Sequence, residues 1–108
     1  MHIVKPDGSV EPKFTDSDEG FNLDELNAMV GGYIKIVYLD KPVAFTDEDD
    51  PTVVHTYTLM VMNEDGKGEG MPVNGPATHF WSLSLGQGGM ADDILVGPVA
   101  FSNGEEVQ

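Results

Sequence analysis

Cysteine is absent from this chain of 108 residues, and so is arginine: the five basic residues are all lysine. Without cysteine there is no disulfide, no thiolate nucleophile, no Cys-type zinc site and no iron–sulfur cluster. Stability must come from packing. Five lysines against 19 Asp and Glu leave a formal charge of −14. Affinity for a polyphosphate comes largely from cation contacts that release counterions, so nucleic acid is excluded as a partner. An anionic membrane surface would repel the chain for the same reason. No run approaches the roughly 20 apolar residues of a membrane helix, and Met1 to Val10 lacks the apolar stretch of a signal peptide. The expectation is a soluble, intracellular protein.

What is present is enough for one modest core. With 40% hydrophobic and 8% aromatic residues, a single acidic domain over 1–108 is expected, its packed part at about 21–101 and its tail, 103–108, frayed.

The clearest local signal runs from Phe21 to Gly32. Asn22 suits a helix N-cap, Glu25 can reach back to the cap amide, and Phe21 and Leu26 occupy hydrophobic-staple positions. Leu23, Leu26, Met29 and Val30 fall on one face, and Gly31-Gly32 provides the stop. This predicts a helix at about 22–30. Tyr33 to Leu39 then reads as a strand with Ile34, Ile36 and Tyr38 on one face and Tyr33, Lys35, Val37 and Leu39 on the other. Because both faces are mostly apolar, the strand is expected at the centre of a sheet. Val43 to Phe45 reads as a short edge piece, Asp47 to Pro51 as an acidic loop, and Val53 to Met62 as a second long strand whose odd-numbered residues face the core. Asn63 to Gly66 is a turn. The segment 77–85 fits helix and strand periods about equally, with a short helix favoured; Gly86 to Gly89 is a break, and Ile94 to Phe101 a last strand that Gly97-Pro98 demotes to an edge or bulge. The fold class expected is α+β, a mixed or antiparallel sheet of three to five strands with the 22–30 helix packed on it and a second short helix near 77–85.

No motif forces a chemistry. Neither Asp47 to Asp50 nor Asp16 to Glu19 has the alternate ligand spacing of a calcium loop. His2, His55 and His79 lack any paired metal-ligand spacing, and Ser82 and Ser84 lack a nucleophile elbow. Gly66-Lys67-Gly68-Glu69 puts a carboxylate where a phosphate loop would hold its anion. No catalytic residue, metal ligand or cofactor is assigned. The best candidate for recognition is the set Asn74, Thr78, His79 and Trp81, with Asn63, because aromatic residues beside amide and hydroxyl groups suit small planar ligands or protein hot spots. The competing reading, which the composition favours, is that Phe80 and Trp81 complete a core short of aromatics.

The order of the helix, Val30-Gly31-Gly32-Tyr33-Ile34, the segment Met60 to Lys67, the segment Gly70 to Thr78 and a closing Asp93 to Val99 resembles an uncharacterised family of small domains carried by bacteriophages, plasmids and their bacterial hosts. The likeness spans about Phe21 to Phe101. It implies a setting, the cytoplasm of a bacterial host, and carries over no catalytic residue. Together with the charge it points to a non-enzymatic interaction protein that binds a basic surface on a host protein, one that handles nucleic acid or serves defence. The alternative is a small-ligand module for a nucleotide-like compound or metabolite, using the segment 74–81. Acidity from a salt-rich habitat is a third explanation of the charge, and the oligomeric state is left open.

Overall fold

The computed structural model describes residues 1–13, 20–47, 49–85 and 94–103. The Asp16 to Glu19 run, Glu48, the Gly86 to Gly89 break and the tail beyond Asn103 lie outside the described residues. Five strands and two helices follow in the order β1 (His2–Val4), β2 (Val10–Pro12), α1 (Leu23–Val30), β3 (Ile34–Thr46), β4 (Val54–Asn63), α2 (Gly75–Ser84) and β5 (Val99–Ser102). The strands make one antiparallel sheet ordered β2-β1-β5-β4-β3. The α+β class is the one expected, with five strands and both helices.

Helix α1 forms for the local reasons its sequence gives. Asn22 accepts from the Glu25 amide at 2.9 Å while the Glu25 carboxylate accepts from the Asn22 amide at 3.2 Å, a closed capping box. Gly31 ends the helix at φ 78°, where a side chain would be strained. Leu26 and Val30 are buried, but Leu23 is 57% exposed and leaves the predicted stripe.

The two helices cover opposite faces of the sheet. On the α1 side, Leu26 and Val30 pack with Phe21, Met1, Ile3, Leu59, Val61 and Ala100, and with Ile34 and Ile36. On the α2 side, Ala77, Phe80 and Trp81 pack with Val4, Met60, Val99, Phe101, Phe45 and Tyr57, and with Val37 and Leu39. The sheet is therefore the middle layer, and the odd-numbered residues of β4 do not share one core face. Tyr57 packs with Met60 on the α2 side, and Leu59 and Val61 pack on the α1 side, the change falling at the register shift.

Several strand expectations need correction. β3 is the rim of the sheet, not its centre. Apolar residues on both its faces report the helix layers above and below; they say nothing of neighbours within the sheet plane. Val43 to Phe45 is not a separate piece but continues β3 beyond a register shift between Tyr38 and Val43. β5 is neither edge nor bulged; it is the middle strand, because Pro98 precedes the ladder and removes no bond from it. Val96 only bridges to Val73. The first residues, outside the packed part expected at about 21–101, supply β1 and β2, and Met1, Ile3 and Val4 are buried. No helix among the described residues is long and apolar enough to cross a membrane.

Candidate interaction surface

Asn74 is completely buried, and the fold uses every arm of its side chain. Its Oδ1 accepts from the Ala77 amide at 3.0 Å, capping α2, while Nδ2 donates to the Val4 and Gly97 carbonyls at 2.8 and 2.7 Å. Thr78 is similarly engaged: its hydroxyl donates to the Asn74 carbonyl at 2.9 Å and accepts from the Leu95 amide at 2.9 Å. Their sequence signal was a cap signal, an Asn one residue before Gly75-Pro76 at a helix start. Of the 74–81 candidates, His79 is exposed and Trp81 half-buried against the α2-side core. Phe80 goes inward, its ring 4.6 Å from that of Phe45.

Asn63 is the last residue of β4. Its Nδ2 donates to the Val30 carbonyl at 3.3 Å, and its Oδ1 accepts from the Asp65 amide at 2.8 Å. It lines a cleft of about 130 Å³ with Lys35, Met62, Glu64, Lys67 and Val96. Leu95 also lines this cleft, and its backbone is bonded to Asn74 and Thr78, so Asn63 and the start of α2 border the same residue from different sides.

The histidines, far apart in sequence, are partly brought together. The rings of His2 and His55 meet at a tilt of 46° with centres 5.3 Å apart. The Nδ1 of buried His2 shares a hydrogen bond with the Tyr57 hydroxyl at 2.5 Å, and Nε2 of His55 donates to the Asp47 carboxylate at 2.8 Å. That bond, followed by one from the Asp49 amide, holds the Asp47 carboxyl below its usual value. His79 is not part of this array. Among the described residues no group of three or more His, Asp or Glu is placed to hold a metal. The only sequence hint was that His55 and Tyr57 share a strand face.

Most of the described carboxylates face solvent. Glu11 lies 3.0 Å from Lys5 and 3.1 Å from Lys13, and Asp47 bonds His55. Asp24, Asp40, Glu64, Asp65 and Glu69 are exposed and have no cationic partner among the described residues. Tyr33, just ahead of β3, and Tyr38, on it, are 74% and 76% exposed, unusual for aromatic side chains and typical of contact surfaces.

Neither a curated protein nor a solved structure matches the chain. The family model for a domain of unknown function, DUF3846, matches residues 1–107, nearly the whole length, and the chain belongs to that family.

Proposed function

We propose that the protein is a non-enzymatic, acidic interaction protein that engages a basic surface on a host protein. The observation that supports this reading is that Asp24, Asp40, Glu64, Asp65 and Glu69 are exposed and have no cationic partner among the described residues. Like charges gathered on one small domain repel one another and oppose compaction. A basic partner relieves that repulsion and is steered toward it. The more specific setting rests on the resemblance alone: a phage or mobile-element protein in the cytoplasm of a bacterial host, meeting a host protein that handles nucleic acid or serves defence. A ligand at 74–81 has less to support it, since the side-chain hydrogen bonds of Asn74 and Thr78 are satisfied within the fold.

The test is capture of partners from bacterial lysate on immobilised protein, at low and at raised ionic strength. Retained proteins with basic surfaces that elute with salt are the expected result. Retention of a nucleotide or metabolite instead, or of nothing that salt releases, overturns the reading.

A further inference from the structure

We infer that the outer edge of β3 receives the partner as an added strand, an extended segment bearing lysine or arginine that pairs with the main chain at Ile36 and Tyr38. The inference rests on the acidic-interaction reading above and assigns it a place and a mode.

The direction of the backbone groups follows from one bond. The Glu64 amide donates to the Tyr33 carbonyl at 2.9 Å, so Tyr33 turns its polar groups toward β4, and by the alternation of an antiparallel ladder Ile34, Ile36 and Tyr38 turn theirs outward. Ile34 bears this out, because its N–H is taken at 3.2 Å by Oδ1 of Asn27 on α1. Ile36 and Tyr38 have no such partner among the described residues. Beyond Tyr38 the register breaks, and Pro42 has no N–H to offer. The open edge is therefore short and bounded: Asn27 closes one end and the irregular stretch the other.

Acidic groups stand at both ends. Asp24 lies one turn before Asn27, the α1 residue that reaches this rim, and Asp40 lies in the irregular stretch. β3 also carries two lysines, whose sign is wrong for a basic guest. Lys35 belongs to the opposite strand face with Val37 and lines the cleft beside Met62, and Lys41 follows Asp40 in the irregular stretch, past Ile36 and Tyr38. The exposed ring of Tyr38 offers a guanidinium a face to stack on. A second copy of the chain is the other natural occupant of a free edge, but it would bring −14 against −14.

The test uses a short peptide alternating arginine with valine, titrated into the full-length protein at two ionic strengths, with amide hydrogen exchange read residue by residue. Salt-sensitive binding that slows exchange at Ile36 and Tyr38 is expected. Tyr38→Pro should weaken binding by roughly tenfold or more, because it removes an outward N–H without breaking a bond to β4, while Tyr38→Thr should retain most of it. If Tyr38→Pro does not fold, the exchange map of the wild type decides alone. Equal binding by Tyr38→Pro and wild type, protection elsewhere on the surface, or no binding of the peptide overturns the edge proposal, and the lysate capture then judges the acidic reading independently. Protection of the same amides without peptide, together with a dimer mass, overturns it in favour of self-pairing.

Discussion

The Nδ2 of Asn74 donates to the Val4 carbonyl at 2.8 Å across 70 residues of sequence, fastening the start of the second helix to the first strand. The same amide holds the Gly97 carbonyl just ahead of β5. One side chain therefore secures three segments, and its loss strands two buried carbonyls and an amide. Asn74→Ala should destabilise the protein by about 2 to 4 kcal/mol, the sum of a lost cap and unsatisfied buried acceptors. Asn74→Asp should do no better, since it keeps the cap but sets a carboxylate against carbonyl oxygens. Urea unfolding measures both; a change under about 1 kcal/mol for Asn74→Ala would show the amide to be dispensable to the fold.

How much of this was legible depends on whether the cause is local. The capping box of Asn22 and Glu25 and the stop at Gly31 depend on neighbours in sequence, and α1 could be read from them. The place of β1, β3 and β5 in the sheet depends on partners far away, so the apolar faces of β3 suggested a centre and Pro98 suggested an edge, both wrongly. Asn74 looked available for recognition because composition cannot show that Val4 and Gly97 would meet it. The pairing of His2 with His55 had no spacing to betray it.

The aromatic cluster under α2 gives a graded comparison. Phe45 is buried and contacts the rings of His2, Tyr57, Phe80 and Phe101, so Phe45→Ala should cost about 3 to 5 kcal/mol. Trp81 packs on the same cluster but is only half-buried, so Trp81→Ala should cost less. Equal losses in denaturant unfolding would mean that Trp81 is as central to the core as Phe45.

Acid sensitivity has identifiable carriers. The His55 hydrogen bond holds the Asp47 carboxyl below its usual value, and the hydrogen bonds of Lys5 and then Lys13 do the same for Glu11. A carboxyl lowered by folding stabilises the native state above its unfolded value and loses that contribution as pH falls through the folded one. The double variant Asp47→Asn, Glu11→Gln should therefore be less stable than wild type at neutral pH, and the gap should close below the usual carboxylate range. Urea midpoints measured across that range check it. A gap that does not change with pH would locate the acid sensitivity elsewhere.

Unpaired charge should also make the protein salt-stabilised. With a net charge of −14 and few ion pairs among the described residues, screening relieves more repulsion than it weakens attraction. The melting temperature should rise with sodium chloride; a fall would mean that the paired charges outweigh the unpaired ones.

Gly32 and Asn63 are coupled by space. A Cβ built on Gly32 would lie 2.7 Å from Nδ2 of Asn63, and that amide is held in place by the Val30 carbonyl on one side and the Asp65 N–H on the other. Gly32 has no positive φ, so an alanine there meets no backbone strain and the contact alone decides the outcome. Gly32→Ala should destabilise the wild type by about 1 to 2 kcal/mol as Asn63 is pushed off its partners. In an Asn63→Ala background the obstacle is gone, and the same change should become neutral or stabilise by about 0.4 to 1 kcal/mol through the stiffer unfolded chain. A double-mutant cycle in urea measures the coupling. Additive effects would mean that Asn63 can turn aside freely, and its side chain would then be available to the neighbouring cleft.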